Sequence, residues 1–150
     1  MKISAKARYG LRILLDVALH ETPERPRTIK EISETQGISE KFISRIVVPL
    51  RRAGMIRSAR GKFGGFRLAR SPRDITLLDV IEVLQGPIRL VRCVDVAAVC
   101  ARAGDCAART VWTDVNMAVR LAVKGVTLAT VIGRTREAAS ATMDGAEYVI

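Results

Sequence analysis

Histidine and aromatic residues are scarce in this sequence, and the common catalytic motifs are missing from it. The chain has a single histidine, His20, and aromatic residues make up 4% of the total. One histidine leaves few arrangements for acid–base catalysis, and no phosphate-binding loop, GxGxxG run, nucleophile elbow or HExxH motif occurs. His20 closes a predicted helix, where we interpret it as solvent-facing rather than as a metal ligand. We therefore expect a protein that is not an enzyme.

Long hydrophobic runs are also lacking. No uninterrupted apolar stretch reaches the roughly 18 residues of a membrane span. Arg12 and Asp16 interrupt the apolar stretch that follows the basic N-terminus, which breaks the hydrophobic region of a secretory signal. The 150 residues are 49% hydrophobic and 27% charged, as in one globular domain or two small ones. We expect a globular protein of the cytoplasm.

Acidic residues are few in the first half of the chain. Residues 1–73 hold 17 Lys and Arg against 6 Asp and Glu, whereas residues 74–150 hold 8 against 9. The excess that gives the net charge of +10 therefore lies in the first half. A basic module joined to a neutral one is typical of a DNA-binding protein with a separate sensing or dimerising part.

Cysteine is rare, and its three copies are clustered. Cys93, Cys100 and Cys106 fall within one segment that also carries Arg92 and Arg102. In a reducing cytoplasm such a cluster favours metal binding or redox chemistry over structural disulfides, and the odd number leaves one thiol unpaired. Positive neighbours stabilise thiolates, which favours ligands of iron sulfide. The alternatives are a disulfide or sulfenate switch and inert, buried thiols, and the spacing does not match paired zinc ligands.

The basic half carries the pattern of a helix-turn-helix. Apolar residues recur at helical spacing over residues 9–19 and predict a first helix with one buried face. Thr28 and Glu31 form a capping box that starts a second, short helix. Gly37 suits the left-handed residue that ends this helix. Ser39 can cap a third helix, so two short helices are separated by a glycine turn.

The third helix is followed by a predicted wing. Its buried face is assigned to residues at helical spacing, namely Ile43, Ile46, Val47 and Leu50. Pro49 predicts a kink or an early end of this helix because proline removes a backbone hydrogen bond. Two short strands, Met55–Ala59 and Phe66–Ala69, flank the basic, glycine-rich residues 60–65, which predict a hairpin loop. The helix-turn-helix and the hairpin together predict a winged helix.

The second half is predicted to join a short helix to a long one through the cysteine segment. Thr76 and Asp79 form a capping box that opens the short helix. The long helix, over about residues 110–124, has apolar residues around most of its circumference, so we expect it to face a second subunit. The residues predicted at this interface are Trp112, Val115, Val119 and Ala122. A short helical turn at 127–132 and a tail over 134–150 are expected to follow.

The predicted fold is mainly α with a small β wing, in which a winged helix-turn-helix precedes a long dimerisation helix. We divide the chain into a DNA-binding domain at 1–73, a cysteine-loop sensor and dimerisation region at 74–133, and a C-terminal tail at 134–150.

Three runs of the sequence form a recognisable set. They are Lys2-Ile3-Ser4 with Arg8-Tyr9-Gly10-Leu11-Arg12, then Pro49-Leu50-Arg51-Arg52-Ala53-Gly54, and finally Arg57-Ser58-Ala59-Arg60-Gly61 leading to Gly64-Gly65-Phe66-Arg67-Leu68. Together they resemble the Rrf-two (Rrf2) family of bacterial winged-helix transcription regulators, over about residues 1–132. The resemblance implies a homodimer in which long helices cross at the interface.

The resemblance also implies a cofactor. In the cluster-binding members of this family three loop cysteines hold an iron–sulfur cluster, and Cys93, Cys100 and Cys106 occupy those places. The cluster type, 2Fe–2S or 4Fe–4S, stays open. One branch uses a histidine three residues after the last cysteine as fourth ligand, but this sequence has Arg109, which cannot bind iron while charged. Another branch uses an acidic residue near the chain start, where this sequence has Arg8, so the fourth ligand is unassigned.

DNA contacts are predicted at the start of the third helix and at the tip of the wing. Lys41 and Arg45 lie where a recognition helix points into the major groove, and arginine can bond guanine through two hydrogen bonds. Arg60 and Lys62 lie at the wing tip, where glycines allow close approach to phosphates or to the minor groove. The other predicted contacts are Thr28, Ser39, Ser44 and Arg52. Ser44-Arg45 replaces the glutamate–glutamine pair of one family branch, so that branch's operator preference is not carried over.

The sequence thus predicts a dimeric transcription regulator that binds a near-palindromic DNA operator and whose DNA affinity is controlled by an iron–sulfur cluster. A metal-free thiol or disulfide switch is the first alternative. A small iron–sulfur carrier or redox enzyme with an incidental basic half is the second, and the charge asymmetry argues against it.

Overall fold

A computed structural model describes residues 2–22, 25–59, 64–94, 100 and 104–145. Within these ranges six helices and two strands follow one another as α1 (Ala5–His20), α2 (Ile29–Gln36), α3 (Glu40–Arg52), β1 (Ile56–Ala59), β2 (Gly65–Leu68), α4 (Leu77–Gln85), α5 (Ala107–Lys124) and α6 (Leu128–Gly145). Short 3-10 turns lie at Pro72–Asp74 and Arg92–Val94. The predicted fold class, mainly helical with a two-stranded wing, is confirmed. None of the described helices is long and apolar enough to cross a membrane.

Local chemistry builds the helix-turn-helix from α2 and α3. The Thr28 hydroxyl accepts the Glu31 N–H at 3.2 Å, and the Glu31 carboxylate accepts the Thr28 N–H at 2.9 Å, so the predicted capping box is confirmed. Gly37 ends α2 with a φ of +62°, as predicted. Ser39 stands at the N-cap of α3, but its side chain makes no capping hydrogen bond. Its backbone carbonyl closes the first turn instead, by accepting the Ile43 N–H at 3.0 Å.

α3 continues for three residues beyond Pro49, so the predicted early end is wrong. Proline has no N–H and therefore removes the helical bond to the carbonyl of Arg45. The loss is confined to the last turn, where the Ala53 N–H still bonds the Pro49 carbonyl at 3.0 Å. Ile46 and Leu50 are fully buried and hold this turn against the core. Tertiary packing thus outweighs one missing backbone bond.

The wing is an antiparallel hairpin whose strands agree with the prediction to within one residue. Its register pairs Ile56 with Leu68. Arg27 lies beside β2 and exchanges backbone hydrogen bonds with Phe66, at 2.9 and 2.8 Å. Gly65 permits this close approach, because a Cβ there would lie 2.6 Å from the Arg27 carbonyl oxygen. The wing is therefore anchored to the segment that leads into α2.

The apolar core spans both predicted domains. Ile13, Leu14 and Val17 of α1 are fully buried. Val80 of α4 and Leu128 of α6 belong to the same cluster of buried side chains. The basic half and α4 therefore pack together, and α4 brings the segment that precedes the cysteines close to α1. The division at residue 73 stays a prediction based on charge.

The last two helices are longer than predicted. α5 begins at Ala107 rather than near Thr110, and α6 continues to Gly145, where the sequence predicted a tail. Leu128 is 1% exposed and anchors α6, and Ile132 packs against the same core. Further along α6 the described side chains are mostly exposed, and the sequence there has no apolar face from which a helix could be recognised. The structure thus has a helix as far as Gly145, where the sequence shows no firm pattern, and the assignment of 134–150 as a separate tail stays a prediction.

Candidate DNA-reading surface and cysteine segment

α3 separates a buried face from a solvent-exposed one. Ile43, Ile46, Val47 and Leu50 are buried, as predicted. The exposed positions of the helix are Glu40, Lys41, Ser44, Arg45, Val48, Arg51 and Arg52. Because α3 is the second helix of a helix-turn-helix, its exposed face is the one that enters the major groove in such domains. The structure therefore brings four of the eight predicted DNA contacts onto one surface, namely Lys41, Ser44, Arg45 and Arg52.

The predicted DNA-contacting residues differ in how free their polar atoms are. Ser39 is exposed, whereas Thr28 is half-buried and its hydroxyl belongs to the capping box. The Ser44 hydroxyl donates to the carbonyl of Glu40, one turn earlier, at 2.8 Å. Arg60 and Lys62 lie outside the described residues, so their DNA contacts stay predictions, as do the others.

The buried carboxylate of Asp16 ties α2 to α1. It is 1% exposed and accepts hydrogen bonds from Arg27 Nε at 2.7 Å, from Gln36 Nε2 at 2.9 Å and from the Thr35 hydroxyl. Burial alone raises the pKa of Asp16, but these hydrogen bonds and the charge of Arg27 hold it below its ordinary value. His20 is exposed, with its Nδ1 2.9 Å from the Asp16 carbonyl oxygen. The charged Asp16 thus positions the helix-turn-helix on α1.

Two further contacts fix the wing. Arg51 of α3 donates from Nη1 to the Ser58 hydroxyl of β1 at 3.2 Å. Glu21, just after α1, accepts the Leu68 N–H of β2 at 3.0 Å. Burial raises the pKa of Glu21, while the Leu68 N–H and the neighbouring arginines oppose the change. These contacts could not be predicted from the sequence because no local spacing links their partners.

The cysteines lie along the segment that leads into α5. Cys93 is half-buried in the 3-10 turn, Cys100 is exposed, and Cys106 is half-buried at the N-cap of α5. All three are free thiols. Residues 95–99 and 101–103 of this segment lie outside the described residues. Among the side chains that are described, no three His, Cys, Asp or Glu come together as a metal site, so the predicted ligand set is not assembled there.

The start of the cysteine segment is tied to α5. Arg109, which the sequence presented only as a replaced ligand, donates from Nε to the Cys93 carbonyl at 2.8 Å. Asn116 is 4% exposed, and its Oδ1 accepts the Leu90 N–H at 3.0 Å. No local pattern marks Asn116 in the sequence, because Thr113, Asp114 and Arg120 are polar residues close to it on the same helix. Both contacts hold the chain around Cys93 against α5.

α5 leaves large apolar side chains uncovered. Trp112 is 45% and Val115 41% exposed, and Ala122 is exposed as well. Val119 is half-buried and packs against the core of its own chain. The other large apolar side chains exposed on this helix are Val111, Met117 and Leu121. A helix with this much exposed apolar surface fits a protein interface, and the predicted interface residues stay a prediction.

The combination of a helix-turn-helix, a wing and a cysteine segment tied to a long helix can be compared with known families. A family model named Rrf2, described as an iron-dependent transcriptional regulator, matches residues 3–134. The chain belongs to the Rrf2 family. It is a DNA-binding transcription regulator of that family, and its relatives are regulators rather than enzymes, so the carrier or enzyme alternative is set aside.

Individual relatives agree with the Rrf2 assignment. The protein rrf2 of Nitratidesulfovibrio vulgaris is 38% identical over 129 residues, covering 86% of this chain and 85% of its own. The structure of CymR, the global cysteine regulator of Bacillus subtilis, matches with a TM-score of 0.73 at 36% identity, covering 89% of this chain and 98% of its own. The structure of IscR of T. potens matches with a TM-score of 0.72 at 33% identity, covering 92% and 90%.

Proposed function

We propose that this Rrf2 regulator binds a near-palindromic operator as a homodimer, and that an iron–sulfur cluster at Cys93, Cys100 and Cys106 controls its DNA affinity. The observation that carries the proposal is the direct tie between the cysteine segment and α5. Arg109 of α5 bonds the Cys93 carbonyl, and Asn116 of α5 bonds the Leu90 N–H.

The three thiols suit an iron–sulfur cluster by their chemistry. Thiolates are the protein ligands that such clusters take, and all three cysteines are free. Cys93 in the 3-10 turn and Cys106 at the N-terminus of α5 would both hold the cluster, which would connect these two elements. Three cysteines leave one ligand to come from elsewhere, and a charged arginine cannot supply it.

The ties of α5 give a route from the cysteines to the DNA-reading surface. Arg120 of α5 forms an ion pair with Glu82 of α4, and α4 packs on α1, which carries the helix-turn-helix. The exposed apolar residues of α5 would pair two subunits, so the placement of α5 would set the separation of two reading surfaces. Ligation can shift that placement only by favouring one arrangement over another, and metal–thiolate bonds are strong enough to do so.

The proposed DNA binding rests on the positive charge of α3 and on the spacing that a dimer would give to its two copies of this helix. Lys41, Arg45 and Arg52 are exposed along α3, within the half of the chain that carries the positive charge. A dimer built through α5 would present two copies of α3 to half-sites about one helical turn apart, roughly 10–10.5 bp, or a multiple of that spacing.

The cofactor can be tested on protein purified without oxygen. The proposal expects visible absorption, together with iron and sulfide in stoichiometric amounts per chain. Replacing Cys93, Cys100 or Cys106 with alanine should abolish the absorption while the helical circular dichroism is kept, because none of these thiols belongs to the apolar core. Wild-type protein without iron or sulfide would refute the cluster.

A metal-free thiol switch is the second candidate, and one observation favours it. All three thiols are free, and the described side chains do not bring them together as a metal site. Cys100 is exposed, so oxidants can reach it. This candidate predicts colourless protein in which mild oxidation forms a disulfide between two of the cysteines and changes DNA affinity. Mass spectrometry of alkylated peptides, before and after oxidation, distinguishes the two candidates.

A further inference from the structure

α3 presents one large apolar side chain within its polar, exposed face. Val48 is 38% exposed and stands one helical turn after Ser44 and three residues after Arg45. Beside it, a notch of about 200 Å³ opens between α2, α3 and the wing. The notch is lined by Ile29, Ser44, Val47, Val48, Arg51 and Phe66.

Each of the two polar side chains of the notch makes a hydrogen bond to a group outside it. The Ser44 hydroxyl donates to the Glu40 carbonyl at 2.8 Å, and Arg51 donates from Nη1 to the Ser58 hydroxyl at 3.2 Å. The remaining walls are aliphatic and aromatic carbon. The notch therefore offers an apolar contact next to the predicted base-reading residues.

We propose that this notch receives the 5-methyl group of a thymine, which makes Val48 a sequence-reading residue. The inference rests on the proposed function, in which the exposed face of α3 enters the major groove. Thymine is the only standard DNA base with an apolar group on its major-groove edge, and apolar side chains contact that methyl group. Val48 would thus add a preference for thymine next to the bases contacted by Arg45.

Charge and size both favour DNA as the occupant. Arg45, Arg52 and Lys41 share the exposed face with Val48, so the notch lies on a positively charged surface that attracts a polyanion. At about 200 Å³ the notch is smaller than the cavities of about 300–1,000 Å³ that bind small molecules. A single base edge fits such a shallow, open site.

The test removes the methyl group from the DNA and the valine from the protein. A preferred duplex is first selected from a random pool with the wild-type protein. Each thymine is then replaced by deoxyuridine, which lacks only the methyl group, and dissociation constants are measured. In each half-site, this replacement should weaken wild-type binding about fourfold at one position, which corresponds to about 0.8 kcal/mol for one methyl-sized apolar group.

The Val48→Ala variant lacks the valine in both subunits, so it should bind the thymine duplex about 16-fold more weakly, the square of the effect of one contact. It should no longer respond to deoxyuridine at that position. Alanine suits an exposed helical position, so the variant is expected to fold, and circular dichroism checks this. The Val131→Ala variant makes the same truncation on α6, away from α3, and should keep the wild-type response.

The outcomes separate this inference from the function on which it rests. A wild-type protein that selects a duplex but responds to no thymine replacement overturns the role of Val48. So does a Val48→Ala variant that keeps the full response. A wild-type protein that selects no duplex at all overturns both the proposed operator binding and this inference.

Discussion

Arg27 donates from its Nε to the buried carboxylate of Asp16 at 2.7 Å, and this pair joins α1 to the segment that enters α2. The Arg27 backbone also bonds Phe66 of the wing. One arginine therefore connects α1, the helix-turn-helix and β2. Since α3 follows α2 after a short turn, the geometry of the reading surface depends on the Asp16–Arg27 pair.

Replacing Asp16 with asparagine should lower the free energy of unfolding at pH 7 by about 3 kcal/mol, because it removes one partner of a buried ion pair. The pKa of Asp16 is held below its ordinary value of 3.8 in the folded protein. Its contribution is therefore fully present above pH 3.8 and is lost as the pH falls through the lower, folded value.

Urea unfolding between pH 7 and pH 3 measures both effects. The difference between wild type and Asp16→Asn should be constant above about pH 4 and shrink below it. Asp74→Asn, at an exposed aspartate, is the matched control and should change stability little. A difference that grows towards acid pH would contradict the role of the Asp16 carboxylate.

Arg45 and Arg60 are expected to affect DNA binding in different ways. If Arg45 reads a base edge, Arg45→Ala should cost about 1–3 kcal/mol on the preferred duplex and little on a scrambled one. If Arg60 contacts the DNA backbone, Arg60→Ala should weaken binding to both duplexes. It should also reduce the salt slope, that is the slope of the logarithm of the binding constant against the logarithm of the salt concentration, by about one unit. Titrations at several salt concentrations measure these effects. Equal losses on both duplexes for Arg45→Ala would show that Arg45 does not read a base edge. An unchanged salt slope for Arg60→Ala would show that Arg60 does not contact the DNA backbone.

The exposed face of α5 is expected to form the dimer. Val115→Asp would place a charge in each copy of an apolar interface, so the dimer dissociation constant should rise at least about 100-fold, or about 3 kcal/mol. Analytical ultracentrifugation measures this constant. Ser140→Asp, at an exposed position of α6, adds the same charge and should leave the dimer intact. A Val115→Asp protein that stays dimeric would place the interface elsewhere.

The features that the sequence predicted well depend on neighbours along the chain. The capping boxes of Thr28 with Glu31 and Thr76 with Asp79 each span three residues, and both form as expected. The strands of the wing also follow from local alternation and turn residues. The helix-turn-helix and the hairpin together then predicted the winged helix, and the resemblance to the Rrf2 family added the homodimer and the cluster.

The features that the sequence did not predict depend on contacts between distant residues. Asp16 meets Gln36 across 20 positions, and Asn116 meets Leu90 across 26. Neither pair leaves a periodic trace in the sequence. The end of α6 was missed because its exposed residues have no apolar face, and the continuation of α3 past Pro49 was missed because tertiary packing, not propensity, holds that turn.

The central claim, that the cysteine segment controls DNA affinity, is tested most directly by operator titrations without oxygen. Fluorescence anisotropy compares cluster-loaded wild type, the same protein after removal of iron, and the Cys93→Ala and Cys106→Ala variants. We expect dissociation constants that differ by about 5- to 150-fold between the loaded and iron-free forms, the usual range of allosteric coupling, with both variants behaving as the iron-free form. Equal dissociation constants for the loaded and iron-free wild type would contradict this claim.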